Sequence, residues 1–162
     1  MQSPLAPSLI IRPKLRVLLV DHSLTVRQNL RKDLEAAGGL EIVSEADRDD
    51  QALELFFALR PEVVIVSASL PVNGGFEVLR CIKRAAPRCA VILMSRCPTP
   101  FISETARLLG ASGVCSTLDG TAQLRSILQK LQAGPGGQVP EEPAKPGSQG
   151  RGIPAGGVCL AE

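Results

Sequence analysis

The sequence predicts a doubly wound α/β domain of flavodoxin-like type, a five-stranded parallel sheet in strand order 2-1-3-4-5 with five helices. Three observations predict it. Short apolar runs recur along the chain, segments of helical periodicity alternate with them, and glycine or capping signals fall between the two. A strand written as an unbroken apolar run has both faces covered. That marks a parallel sheet between helical layers rather than an antiparallel sheet with one wet face.

The elements follow in order. Residues 15–21, LRVLLVD, form an apolar run that ends in an acid. A helix comes next, in which Val26, Leu30 and Leu34 share one face opposite Arg27, Arg31, Lys32 and Glu35. Gly38-Gly39 closes it. Residues 41–46, EIVSEA, alternate as an edge strand does. VVIV at 63–66, AVILM at 90–94 and SGVCS at 112–116 supply three further strands, with Gly74-Gly75 and Gly110 as punctuation. Thr99-Pro100 opens the fourth helix with a capping hydroxyl and a proline at the first helical position. In the last helix Leu124, Ile127, Leu128 and Leu131 give the i, i+3, i+4, i+7 stripe, with Asp119 as the predicted N-cap. This body occupies residues 15–132, preceded by an expected flexible N-terminal arm, residues 1–14. From residue 133 the chain reads AGPGGQVPEEPAKPGSQGRGIPAGGVCLAE, and a disordered Gly/Pro-rich tail over 133–162 is expected.

Composition excludes several classes of function. At 162 residues the chain accommodates one domain with a real core. A net charge of +2, with acids and bases interspersed, gives no footprint for nucleic acid or an anionic membrane surface. Aromatic residues make up 2% and neither Trp nor Tyr occurs, so a base-stacking platform is not expected. The cysteines at 81, 89, 97, 115 and 159 are odd in number and form no C-x-x-C pair, which fits a reduced compartment better than a disulfide framework. The opening segment lacks the pattern of a secretory signal, and no apolar run is long enough to span a bilayer. The expected location is the cytoplasm.

In a doubly wound sheet, ligands bind outside the carboxyl ends of the central strands. Here those ends carry Asp21 and His22 after the first strand, Ser67 on the third, Ser95 on the fourth and Thr117 after the fifth. The stretch VVIVSASLP, residues 63–71, therefore aims two hydroxyls and no acid at the crevice. On VLLVDHSLTVRQNL (17–30), RPEVVIVSASLPVNGGFEVLR (60–80), VILMSR (91–96) and LLGASGVCSTL (108–118), the chain resembles the CheY-like receiver domain of bacterial two-component response regulators, across residues 15–132.

The resemblance implies a phosphoacceptor aspartate at the tip of strand three. It also implies a Mg²⁺ ion held by that residue and an acidic pair after strand one, a hydroxyl on strand four, a lysine on strand five and an aromatic switch residue. Transferred position by position, it exposes departures. Asp21 matches the first acid, but His22 stands at the second. Ser67 stands at the acceptor position, and Ser95 matches the hydroxyl. Thr117 and Leu118 replace the lysine and the proline after it, and Val114 stands at the switch.

Mg²⁺ wants hard oxygen ligands in octahedral geometry, and His22 offers nitrogen. Without the ion and the ammonium, nothing neutralises charge developing on a transferred phosphoryl group. Mg²⁺ binding is accordingly expected to be lost or very weak, with no cofactor and no catalytic residue assigned. Asp21 is expected to cap the following helix rather than hold a metal. A base–nucleophile reading of His22 and Ser67 lacks a third, orienting group. Ser67 and Ser95 are read as polar fillers of a vacated pocket, Thr117 as structural, and Arg80, Lys83, Arg84 and Arg107 as solvated.

The expected function is a degenerate receiver, or pseudo-receiver: a protein-interaction module in phosphorelay signalling that works without phosphorylation and without enzymatic activity. The family's usual partner surface maps to residues 100–131, with Phe101, Ile102, Val114 and Arg125 as candidates and a homodimer through that face as one form of contact. The alternative is a ligand-binding domain, or one phosphorylated on Ser67 by a serine/threonine kinase, using the vacated pocket.

Overall fold

The computed structural model describes residues 13–72 and 74–133, so nearly all of the expected arm and tail lies outside the described residues. Ten elements alternate: β1 (Leu15–Val20), α1 (Leu24–Ala37), β2 (Leu40–Ala46), α2 (Asp49–Leu59), β3 (Val63–Ser67), α3 (Gly74–Ala85), β4 (Ala90–Ser95), α4 (Pro100–Leu108), β5 (Gly113–Ser116) and α5 (Ala122–Ala133). The five strands form one parallel sheet in the order β2-β1-β3-β4-β5, as the sequence predicts. No helix among the described residues is long and apolar enough to cross a membrane.

Two cores lie on the two faces of the sheet, and strand alternation assigns residues to them. Leu18, Val20, Val64, Val66, Val91 and Leu93 pack with Phe56 of α2, Leu79 and Ile82 of α3 and Ala106 of α4. Val17, Leu19, Val63, Ile65, Ile92 and Cys115 pack on the other side with Leu30 and Leu34 of α1 and Leu124 and Leu128 of α5. β3 and β4 are buried along their whole length, which is why they read as continuous apolar runs.

The outer strand β2 departs from simple alternation. Its register with β1 jumps, Val17 pairing with Ile42 but Leu18 with Ser44, so Val43 is an extra residue in a bulge. Leu40 and Ile42 accordingly face α1 and α5, whereas Ala46 faces the α2 side.

Helix starts follow local chemistry. Thr99 caps α4, its hydroxyl accepting the Ile102 N–H at 3.2 Å ahead of Pro100. The expected cap of α5 is corrected. Gly120 turns the chain at φ +77°, the helix begins only at Ala122, and Asp119 lies outside it. The adjoining residue is Thr121, whose carbonyl accepts the Arg125 N–H at 2.8 Å.

Candidate functional site

Register brings the predicted crevice residues to one edge of the sheet. Val20 pairs with Val66, Ser67 with Met94, and Ser95 with Ser116. Asp21, Ser67, Ser95 and Thr117 therefore stand at the carboxyl ends of four adjacent strands. The strand tips are tied to one another: Ala68 N–H donates to Met94 O at 2.8 Å, and Thr117 N–H donates to Ser95 O at 2.9 Å. Asp21, Ser67, Ser95 and Ser116 are all buried, with Ser67 only 5% exposed. Ser116, which the sequence does not single out, accepts the Leu118 N–H on its Oγ at 3.2 Å.

Asp21 does not cap α1. Ser23 does, its Oγ accepting the Val26 N–H at 3.4 Å. Asp21 instead accepts the Ser23 N–H on Oδ1 at 2.7 Å, so its carboxylate braces the turn that delivers the cap. Its own N–H donates to Ala46 O at 3.0 Å. His22 Nδ1 lies 3.7 Å from Asp21 Oδ1, too far for a hydrogen bond, and its side chain is 51% exposed. Ser67 Oγ accepts the Ser69 N–H at 3.3 Å, which closes the strand into the following turn.

The charge that organises this corner comes from a residue the sequence places on the solvated face of α1. Arg27 is only 13% exposed in its side chain. Its Nη1 donates to the Asp21 carbonyl, and its Nε donates to Glu45 Oε2 at 3.1 Å. Arg31 Nε donates to the other oxygen of Glu45 at 2.6 Å. One β2 carboxylate is thus gripped by two α1 guanidinium groups, one of which also holds the β1–α1 turn. The bulge at Val43 is the missing signal, because it sets which face Glu45 takes.

The predicted outer surface divides. Phe101 is 78% exposed, while Ile102 and Val114 are half-buried against the α2–α4 core. Arg125 is not part of that surface: its Nη2 donates to the Asp33 carbonyl on α1 at 3.0 Å. Four of the exposed large apolar residues lie at the crevice end of the sheet, Leu24 and Phe101 in the first turns of α1 and α4, and Val72 and Leu118 in the β3–α3 and β5–α5 connections. Val72 also holds a left-handed conformation, φ +68°, and is 89% exposed.

Of the residues read as solvated, Arg80 pairs with Glu77, and Arg107 pairs with Glu104 at 2.7 Å, on the surface. Lys83 differs, because its Nζ donates to the Pro87 carbonyl at 2.6 Å and the Cys89 carbonyl at 2.9 Å, closing the α3–β4 connection. Burial holds its pKa below the ordinary lysine range.

Comparison with known proteins agrees with this architecture. Residues 17–130 match the response regulator receiver domain family. The chain is 32% identical over 120 residues to response regulator GacA of Pseudomonas viridiflava, covering 74% of this chain and 56% of that protein. It therefore spans little more than half the length of this relative. A protein-glutamate methylesterase/protein-glutamine glutaminase of Caldanaerobacter subterraneus is 32% identical over 116 residues, 70% of this chain and 31% of that enzyme. Among solved structures, the signal receiver domain of the putative response regulator NarL from Mycobacterium tuberculosis superposes with a TM-score of 0.69 at 25% identity, covering 75% of this chain and 98% of that one. The response regulator domain of Thermotoga maritima CheB gives 0.66 at 25% identity, over 75% of this chain and 99% of that one. With its fold, strand order and crevice in place, the chain belongs to the response regulator receiver domain family of two-component signalling.

Proposed function

We propose that this receiver is a pseudo-receiver, a protein-interaction module whose binding does not depend on phosphorylation. The observation that carries the reading is Ser67, a buried hydroxyl at the strand-three tip with its Oγ engaged by the Ser69 N–H. A serine there offers neither a carboxylate nucleophile nor a metal ligand of comparable charge.

The Mg²⁺ ion on which the family's chemistry depends does not fit the residues present. Asp21 brings a carboxylate with Oδ1 already accepting a backbone N–H, and Glu45 is held by Arg27 and Arg31. His22 supplies a nitrogen where a hard cation wants oxygen. Thr117 brings no positive charge to a phosphoryl group. Burial of Ser67 also argues against its modification by a serine/threonine kinase, which needs the acceptor on an accessible, extended segment.

The partner in this reading is a signalling protein, in the cytoplasm, that binds the exposed apolar residues near the crevice end, Phe101 and Leu118 among them, and a second copy of the chain is the alternative occupant of the 100–131 face. Nucleic acid is not a direct ligand. The experiment is an amide NMR titration with Mg²⁺ and then with beryllofluoride or acetyl phosphate. The spectrum should stay unchanged at residues 21, 67, 95 and 117. Saturable shifts there, or magnesium-dependent incorporation of labelled phosphate, would overturn the reading.

A further inference from the structure

At the end of the sheet opposite the crevice, the connections into β1, β3 and β4 are tied together. The Glu62 N–H donates to Arg16 O at 2.9 Å, and the Ala90 N–H donates to Glu62 O at 3.0 Å. Arg16 Nη1 donates to the Arg60 carbonyl at 3.2 Å. This packing gathers Lys14 before β1, Arg60 before β3, and Arg84 and Arg88 around the α3–β4 connection. All four are exposed, and none forms a salt bridge among the described residues. Arg60 rests over the Phe57 ring, 5.4 Å from its centroid, which leaves the edge of the guanidinium free to donate. Two acids share this end: Glu62 Oε2 accepts the Arg16 N–H at 3.0 Å, and Glu41 stands opposite Arg16 on β2. Glu77, whose charge Arg84 feels along α3, is already paired with Arg80 at 2.5 Å. Cations outnumber acids here, and like charges crowded together favour a counter-charge.

The chain leaves the fold beside this patch. Gln132 Nε2, near the end of α5, donates to the Gly39 carbonyl at 3.1 Å, and the same carbonyl accepts the Leu15 N–H at 3.0 Å. The end of α5 is thereby fixed next to the start of β1, where Lys14 stands. Beyond Ala133 the sequence continues GPGGQVPEEP, and its first charged residues are Glu141 and Glu142. The chain from Ala133 to Glu141 can extend to about 28 Å, whereas β1 to β4 is two strand spacings, about 10 Å.

We propose that this basic end is a docking surface for an acidic segment, and that its occupant is the chain's own residues 140–143, with Glu141 and Glu142 set against Arg60, Arg84 and Arg88. Guanidinium forks match carboxylates in geometry and charge. Exposed ion pairs are individually weak and screened by salt, but a short tether raises the effective concentration of the segment enough to populate them. The contact is therefore partial and salt-sensitive. It lies at the far end of the domain from the crevice, so it does not rest on the pseudo-receiver reading.

The test uses the full chain, labelled with ¹⁵N, with amide shifts followed between dilute and concentrated sodium chloride. Residues 139–143 and residues 60 and 84–88 should shift together as salt is raised. Glu141→Lys with Glu142→Lys should abolish the salt-linked shifts on the domain. Arg84→Glu with Arg88→Glu should abolish those in residues 139–143, and because both arginines are exposed the fold should be unaffected. Combining the two reversals should restore most of the linked shifts, since the charges are then exchanged. Shifts that persist in both reversals, or that the combined variant fails to restore, overturn the proposal. Shifts that grow with protein concentration assign a second copy as occupant and overturn it as well. So does a capped Pro-Glu-Glu-Pro peptide that binds the parent chain as tightly as the Glu141→Lys, Glu142→Lys variant, because the surface is then vacant and open to an acidic partner.

Discussion

Gly75 lies so close to the Ser67 carbonyl that a Cβ at residue 75 would stand 2.1 Å from that oxygen. The first turn of α3 is thereby pressed against the tip of β3, backbone on backbone, and neither partner can swing aside as a side chain could. Gly75→Ala should destabilise the domain by about 2–3 kcal/mol, read from urea unfolding. A loss of a few tenths would mean that the β3–α3 turn yields easily.

The cysteines predict a loss of stability in alkali. Burial pushes the Cys115 thiol up to about 11 from an ordinary 9.0, and burial likewise brings Cys89 to about 11. Both pKa values are raised in the fold, so their contribution is fully present below pH 9 and is lost as the pH rises towards 11. Lys83, depressed by burial, works the other way, so Cys115→Ala gives the cleaner readout. The urea midpoint should fall between pH 9 and 11 in the parent chain and fall less in that variant. At pH 8 iodoacetamide should reach the exposed Cys97 before the buried Cys89 and Cys115.

The Arg27–Glu45 pair predicts a coupled effect. Glu45→Gln should lower stability by about 1–2 kcal/mol, between the values for exposed and buried pairs. Arg27→Met should do the same and also speed exchange of the Ser23 amide, which depends on the Asp21 turn. An unchanged Ser23 exchange rate would detach Arg27 from that turn.

Val72 holds a left-handed backbone with a β-branched side chain facing water. Relieving that strain with Val72→Asn should raise stability by about 0.5–1 kcal/mol. Thermal unfolding is the readout, and a lowered midpoint would show that the Val72 side chain has a contact role.

Restoring the chemistry should need several changes together. Ser67→Asp alone should remain inert to acetyl phosphate, since it leaves His22 and Thr117 in place. The combination His22→Asp, Ser67→Asp and Thr117→Lys should gain magnesium-dependent labelling. Labelling of the single variant would show that the second acid and the lysine are dispensable in this scaffold.

Much of this was legible in the sequence because the buried strands announce themselves. VVIV and AVILM have no polar position to hide, and the Thr99-Pro100 cap is a local signal read locally. The crevice residues were legible for a related reason: strand ends fix where Asp21, Ser67, Ser95 and Thr117 must stand. What escaped depends on contacts distant in sequence. Arg27 reads as solvated on a helical wheel, yet it meets Glu45 eighteen residues away, and Arg125 reads as outer surface until Asp33, ninety-two residues away, is seen beside it. Asp119 and Asp21 looked like caps because composition cannot reveal that a neighbouring residue, Thr121 or Ser23, takes the position next to the helix.

The bulge at Val43 has a consequence for parity. Val43 has no partner on β1, so Glu45 pairs with Leu19 and meets the α1 guanidinium groups, whereas pairing every β2 residue in turn would set it on the α2 side. Deleting that single valine would remove the bulge and leave Ser44, Glu45 and Ala46 opposite Leu18, Leu19 and Val20, on the sides they already hold. The register of β2 on β1, rather than the length of β2, decides whether the grip on the β1–α1 turn exists.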